Sequence, residues 1–146
     1  GAGNASTKLS GEVIGILAGP NPEEVRSGLD VVVYEIENGA SFYSANDDDS
    51  IPYFAHCISR AGSYLSEGAN AEGTAIAYLI APPAEAMVAL DAALKAADVS
   101  VGAFYGPPSE TNFAGGLLIG SQSACRAACD AFAQTVQSIA DNPQNY

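Results

Sequence analysis

The stretch of residues 106–125 constrains the fold more than any other part of the chain, because it joins a polar turn, a strand of small residues and a helix start. Two prolines stiffen the turn and remove backbone donors, so the polar residues 109–112 are expected at an exposed tip. Residues 115–119 are typical of a short buried strand, and residues 120–123 break that strand and supply cap candidates for the helix that follows. A polar tip held by a strand and a helix suits solute binding or pore lining.

The net charge of the chain limits the kinds of molecule that it is expected to bind. The 146 residues carry a formal net charge of −12 and include 5 Lys and Arg residues in total. Nucleic acids and anionic membranes bind through cationic side chains, so we expect neither as a partner. Cationic solutes are the favoured class, although acidity by itself also keeps a protein soluble. No apolar run approaches the length of a membrane helix, and we expect a cytoplasmic protein.

The three cysteines are predicted to be packing residues and not disulfide partners or metal ligands. Their number is odd, and Cys125 and Cys129 are four residues apart on a predicted helix, which is a poor geometry for a mutual disulfide. We therefore expect Cys57, Cys125 and Cys129 to be reduced thiols. A metal site would need more ligands than His56 beside Cys57, so no metal and no cofactor are expected.

The first part of the chain predicts one strand and one helix. Residues 12–18 have the apolar pattern of a strand, and Asn21 followed by Pro22 is a strong helix start. Asn38 and Gly39 end that helix. Apolar residues at helical spacing predict its buried face, namely Val25, Leu29, Val32 and Ile36.

An acidic run at residues 46–50 raises the question of a calcium site. It lacks the alternating ligands and the later Glu of an EF-hand loop. The alternative is a solvated turn in which Ser50 caps a following helix. Residues 51–65 have an amphipathic pattern that predicts such a helix.

The remaining residues predict strands at 74–81, 99–105 and 115–119, with a helix after Pro82 and another over 123–140. The first of these helices should turn Met87, Leu90 and Leu94 inward. Strands and helices in this order predict an α+β sheet covered by helices. The strand and helix of the first part resemble the last strand and helix, which suggests tandem copies of one domain with the first copy cut short.

Several short motifs, in order along nearly the whole chain, resemble the EutL-type shell proteins of the ethanolamine-utilisation bacterial microcompartment. Pro-Asn-Pro at 20–22 and Gly-Ser-Gln at 120–122 are too common to suffice singly, but the combination is specific. The motifs cover residues 11–13, 18–22, 36–40, 59–65, 77–83, 107–112 and 120–122.

The resemblance implies a permuted microcompartment-shell domain with a mixed, mainly antiparallel sheet. Residues 1–39 would be the C-terminal remnant of a first shell domain, and residues 40–146 a complete second one. Members of the family begin with a further N-terminal segment. The implied role is structural: homotrimeric pseudo-hexagonal tiles that meet other shell proteins edge to edge and carry pores for small solutes, in a microcompartment shell in the cytoplasm.

The resemblance also selects candidate solute contacts, Glu12, Phe42, Glu110 and Thr111, at positions that match the surroundings of small pores. Ethanolamine, a small ammonium alcohol, needs acceptors for its ammonium group, a partner for its hydroxyl and an aromatic face. The alternatives are ordinary: a solvated strand end for Glu12, core packing for Phe42 and a surface turn for the other two. Tyr43, Tyr64, Tyr78 and Tyr105 are expected to pack with their hydroxyls near the surface.

An enzyme is not expected. Ser121 and Ser123 precede a helix, but His56 is the sole imidazole and no nucleophile-elbow pattern is present. The glycines near 115–120 lack the spacing of a dinucleotide fingerprint. The competing hypothesis is a soluble binding or sensing module for a small cationic metabolite.

Overall fold

The computed structural model describes residues 2–4, 13–62, 74–108 and 111–143. The chain divides into two compact units, Gly1–Ala40 and Ser41–Tyr146. Tyr64, which was expected to pack with its hydroxyl near the surface, lies outside the described residues.

The first unit contains a strand pair and a helix. Strands β1 (Ala2–Asn4) and β2 (Val13–Gly15) are antiparallel, and helix α1 spans Pro22–Asn38. As predicted, Asn21 caps α1, accepting a hydrogen bond from the Glu24 backbone N–H at 2.9 Å. The expectation of a single strand was wrong, because β1 pairs through its backbone and needs no apolar pattern.

The predicted buried face of α1 is not buried. None of the residues of this helix is buried, and Ile36 is 80% exposed. The helical spacing of Val25, Leu29, Val32 and Ile36 was read correctly as an apolar stripe, but spacing cannot say whether a partner surface covers that stripe.

The second unit is one antiparallel sheet with two helices. Its five strands follow the order β3-β4-β5-β7-β6, and every neighbouring pair is antiparallel. The elements are β3 (Tyr43–Ser44), β4 (Pro52–Ile58), β5 (Ala75–Ala81), α2 (Pro83–Ala96), β6 (Val99–Tyr105), β7 (Ala114–Gly120) and α3 (Gln122–Asp141). The expected sheet with packed helices is confirmed.

The main core lies between the sheet and the two helices, which pack against each other and against the strands. Small side chains from both helices face alternate residues of β5 and β7, so the layers approach closely. The largest fully buried side chains are Phe132, Ile76, Leu79, Leu118 and Val136. A second, smaller cluster around Ile76 and Leu117 lies on the opposite face of the sheet.

The helix predicted over residues 51–65 was wrong in its described part, because residues 52–58 form strand β4. Tyr53, Ala55 and Cys57 pack against the main core, while Ile58 packs against the cluster on the other face. Since both faces of the strand are partly buried, its apolar residues do not alternate with polar ones. The spacing of these apolar residues therefore matched the pattern of an amphipathic helix.

The inward face of α2 was predicted only in part. Leu90 is buried, but Leu94 is 36% exposed and Met87 is half-buried. The residues that meet the sheet and α3 are mainly alanines, namely Ala86, Ala89 and Ala93. Small side chains occupy these positions because α2 packs closely against the sheet and α3.

Candidate functional site

In the turn between β6 and β7, the described tip residues Thr111 and Asn112 are exposed, as the sequence predicted. The Pro107–Pro108 peptide bond is cis, and Asn112 has a φ of 58°. Asparagine tolerates this left-handed conformation better than most residues. Thr111 lies beside it and is exposed. Of the four candidate solute contacts, Glu12 and Glu110 lie outside the described residues.

Phe42 lies at the end of this turn. Its ring centroid is 5.8 Å from that of Phe113 and 5.5 Å from that of Phe54. Phe113 follows Thr111 by two residues and leads directly into β7. The structure therefore brings two sequence-predicted residues, Phe42 and Thr111, to the same end of the sheet.

The expectation of core packing for Phe42 describes only half of its environment. The side chain is 52% exposed although it touches two rings. An aromatic ring in this position is held by its neighbours and still presents a surface to solvent. Such a surface attracts organic cations by the cation–π interaction.

The ring contacts continue along the sheet face that lies away from the helices. Phe54 meets Tyr78 edge to face at 5.5 Å, and His56 lies 5.9 Å from Phe54. We call Phe42, Phe54, His56, Tyr78 and Phe113 the aromatic face. Burial raises the pKa of Tyr78, and the neighbouring Tyr105 raises it further.

Sequence reasoning missed Phe54 and Phe113 as neighbours of Phe42, and His56 as a neighbour of Phe54. Phe54 and His56 are two residues apart on β4, which places both side chains on one side of a strand. The two-residue spacing was visible in the sequence, but its meaning was missed because a helix, and not a strand, was predicted over this segment.

The acidic run forms the turn between β3 and β4 and caps no helix. Asn46 accepts a hydrogen bond from the Ile51 backbone N–H at 3.1 Å and donates one to Ser50 Oγ at 2.7 Å. Hydrogen bonds from Ser50 lower the pKa of Asp48. Asp49 has a φ of 56°. The solvated-turn interpretation describes these residues, while the proposed Ser50 cap was wrong.

The three thiols are free and two of them are core residues. Cys125 and Cys129 are buried on α3, and burial raises the pKa of both, that of Cys129 to about 12. Cys57 is half-buried on β4, and burial raises its pKa while Arg126 opposes this effect. Neutral, buried thiols behave as small apolar groups, as the sequence predicted.

Among the described residues, no three His, Cys, Asp or Glu side chains are grouped as metal ligands. Within the same residues, every buried side-chain polar atom has a hydrogen-bond partner. No described helix is both long and apolar enough to cross a membrane.

Protein-family models gave no match to the chain. Individual proteins do match it. The chain is 68% identical over 147 aligned residues to the bacterial microcompartment shell protein EutL of Clostridium perfringens, and it covers 68% of that protein. Against EutL of Salmonella typhimurium the identity is 52% over 144 residues, with 66% of that protein covered.

Solved structures of shell proteins are also similar to this chain. The crystal structure of ethanolamine utilization protein EutL from Leptotrichia buccalis matches with a TM-score of 0.84 at 72% identity, over 98% of this chain and 66% of that one. A trimeric bacterial microcompartment shell protein, PduB, shares the fold with a TM-score of 0.68 at 23% identity, over 91% of this chain and 59% of that one. The chain thus belongs to the EutL family of bacterial microcompartment shell proteins, and it spans about two thirds of the length of the EutL proteins that it matches.

Proposed function

We propose that the chain is a structural component of the ethanolamine-utilisation microcompartment shell. Three chains form a pseudo-hexagonal tile, tiles meet other shell proteins edge to edge, and pores in the tile pass small solutes. The role is structural and involves no catalysis. The observation that carries the proposal is the 68% identity to a shell protein over the whole chain.

The two-unit division supports a tandem arrangement, with residues 1–39 from a first shell domain and 40–146 as the second. In α3 the residues Cys125, Cys129, Phe132 and Val136 are buried. At the same distances from the N-cap, α1 has apolar residues as well, namely Val25, Leu29, Val32 and Ile36. Helix α1 therefore has the apolar face that a shell-domain helix turns toward its sheet.

Solute contact at a pore is proposed for Phe42, Thr111, Glu12 and Glu110. The half-exposed ring of Phe42 offers a cation–π surface, and the exposed Thr111 hydroxyl offers a hydrogen-bonding partner for an alcohol. Glu12 and Glu110 would supply the carboxylate for the ammonium group. Ethanolamine fits this set of groups.

Assembly is tested by electron microscopy and by the mass in solution. Purified chains at high concentration should form sheets with a hexagonal repeat, and sedimentation should give the mass of a trimer. Strictly monomeric behaviour at every concentration would contradict the tile.

Solute contact is tested by calorimetry with ethanolamine. We expect binding heat for the unmodified chain and weaker binding for Phe42→Ala, Thr111→Val and Glu110→Ala. Tyr43→Ala is the matched control, because Tyr43 is an exposed aromatic next to Phe42 whose ring packs against Tyr53. Equal heats in all variants would remove the proposed contacts.

The second candidate is a soluble binding or sensing module for a small cationic metabolite, which the net charge of −12 favours. It differs from a shell tile in needing no assembly. A monomer that binds ethanolamine and never forms sheets would support this candidate and exclude the shell role.

A further inference from the structure

A groove lies where the start of α2 meets the end of α3, beside the turn between β3 and β4. We call it the α2–α3 groove, and its volume is about 620 Å³. The apolar part of its described lining consists of Ala84, Val88, Ile139 and Ile51. Val88 is 55% exposed, while Ile51 and Ile139 are partly buried. An exposed apolar surface bordered by polar residues is typical of an interaction site.

Negative charge surrounds this apolar floor. Within the described lining, Glu85 has the single charge. The three exposed aspartates at 47–49 directly precede Ile51 in the turn, and the exposed Asp141 directly precedes Asn142, which lines the groove. We call Glu85, the aspartates at 47–49 and Asp141 the acidic rim. Acids thus come from the turn, from α2 and from α3, and they favour a cationic partner.

The end of α3 adds to the negative potential. The last turn of a helix carries a partial negative charge, and the last turn of α3 has no basic residue to offset it. The start of α2 has the opposite pole, but Glu85 in its first turn offsets that pole. Lysine or arginine side chains of a partner would therefore be stabilised at the α3 end of the groove.

The backbone around the groove favours a helical partner over an extended one. Helices α2 and α3 use their backbone groups internally, and Pro82 and Pro83 at the start of α2 have no backbone N–H. The Ile51 N–H donates to Asn46 Oδ1 at 3.1 Å, and the Ile51 carbonyl accepts from the Ala45 N–H at 3.0 Å. An extended peptide would therefore find few backbone partners here, whereas a helix satisfies its own backbone and inserts an apolar face.

We propose that the α2–α3 groove binds a basic amphipathic helix of another protein. The apolar face of that helix contacts Val88, Ile51 and Ile139, and its lysine or arginine residues face the acidic rim. The rim disfavours a second copy of this chain as the occupant, because that copy also has a net charge of −12 and would be repelled.

Fluorescence anisotropy with a labelled synthetic peptide tests the proposal. The probe has about 14 residues, an ordinary helix length, with leucine at helical spacing and lysine elsewhere. We expect it to bind the unmodified chain, whereas a peptide with glutamate in place of lysine should not bind at the same concentrations. Failure of the lysine peptide to bind, or equal binding of the two peptides, would overturn the proposal.

The variant Val88→Gln tests the apolar floor. It should weaken binding of the lysine peptide by about 5-fold or more, because an apolar side chain is no longer buried in the complex. Leu94→Gln is the matched control, since Leu94 is an exposed apolar residue of the same helix that lines a different groove. The control should bind like the unmodified chain. Equal binding by the two variants would place the peptide elsewhere and overturn the proposal.

A triple variant, Asp47→Asn with Asp49→Asn and Glu85→Gln, tests the acidic rim. It should weaken binding of the lysine peptide by about 10-fold, because three favourable charge contacts are lost. The control removes three exposed carboxylates elsewhere, by Asp30→Asn, Glu37→Gln and Asp98→Asn. Equal losses in both triple variants would mean that the peptide responds to total charge alone, and the proposal would fail.

Hydrogen–deuterium exchange locates the peptide on the unmodified chain. Amides of residues 84–88 and 137–142 should exchange more slowly when the lysine peptide is present, and those of residues 99–105 should not change. Protection of residues 84–88 that follows self-association and needs no peptide would identify a second copy as the occupant and overturn the proposal. Peptide binding that appears only after residues 144–146 are deleted would also overturn it, because the end of the chain would then be the occupant.

Discussion

At the scale of single residues, the core depends on a few large side chains among many small ones. Alanines form much of the buried surface of α2 and β5, and the largest fully buried side chain is Phe132 on α3. Small neighbours allow the helices to approach the sheet, but they cannot expand to fill a vacancy. Each large side chain is therefore individually important.

Replacing Phe132 with alanine should lower the free energy of unfolding by about 3–5 kcal/mol, because the surrounding small residues leave a cavity. Urea denaturation followed by circular dichroism measures this. Phe42→Ala is the comparison, since Phe42 is 52% exposed and should cost less than half as much. Equal losses would mean that burial at Phe132 does not dominate the core.

The thiol of Cys129 should make stability depend on alkaline pH. Burial raises its pKa from 9.0 to about 12, so the folded thiol stays neutral where the unfolded thiol ionises. Its contribution is complete below pH 9.0 and is lost as the pH rises toward about 12.

Urea unfolding at about pH 8 and about pH 10 measures this loss. The unmodified chain should lose more stability between the two values than Cys129→Ala does. Cys57→Ala, at a half-buried thiol, should remove less of the dependence. If Cys129→Ala keeps the full pH dependence, another group is responsible.

At the scale of elements, strand β7 depends on its glycines. Gly115 pairs with Ile80 in the centre of the sheet, where a Cβ atom would clash with the Leu79 carbonyl oxygen. The absence of a side chain lets β5 and β7 approach at this point. Glycine here serves close backbone approach.

The variant Gly115→Ala should therefore be destabilised by about 1–3 kcal/mol, the usual effect of overpacking. Gly62→Ala is the matched control, because a Cβ there meets no atom of the described residues within 4 Å. Thermal unfolding of both variants measures the loss of stability in each. A control that loses as much as Gly115→Ala would show that the steric argument is wrong.

Helix α3 begins at a side-chain cap. Ser121 Oγ accepts a hydrogen bond from the Ala124 backbone N–H at 3.1 Å. Ser121→Ala should cost about 1 kcal/mol, because it leaves that donor without its cap. Ser138→Ala, on the exposed side of the same helix, should be neutral in the same urea titration. A neutral Ser121→Ala would mean that water replaces the cap fully.

At the scale of the whole molecule, charge opposes assembly. The 17 acidic residues far outnumber the 5 basic ones, so any two chains repel at long range. Added salt screens this repulsion and leaves apolar contact largely unaffected. Association between two such chains should therefore respond to salt in one direction.

We expect self-association to strengthen when the salt concentration rises from about 0.01 M to about 1 M, where the Debye length falls from about 30 Å to about 3 Å. Light scattering as a function of protein concentration measures it. Potassium chloride and sodium chloride should act alike, since the effect is screening. Weaker association at high salt would indicate an interface built from ion pairs.

Local signals in the sequence predicted a large part of the fold. The Asn21 cap, the proline-started helix α2 and strand β6 lie where the sequence placed them, and the Ser121 cap lies within the predicted candidate segment 120–123. Strand β4 was mistaken for a helix because its partner residues on β5 are distant in the chain, from Ile58 with Ile76 to Phe54 with Ile80, and no local pattern records them.

The sequence by itself determined the ends of the helices, the exposure of Thr111 and Asn112 between β6 and β7, and the membership of a shell-protein family. The tertiary structure alone decided that Phe42 meets Phe113, that α1 has no buried residue, and that a bulge interrupts the register of β6 between Val101 and Ala103. Capping and turn preferences act between residues a few positions apart. Burial and strand pairing depend on partners far along the chain, and only the folded molecule brings those partners together.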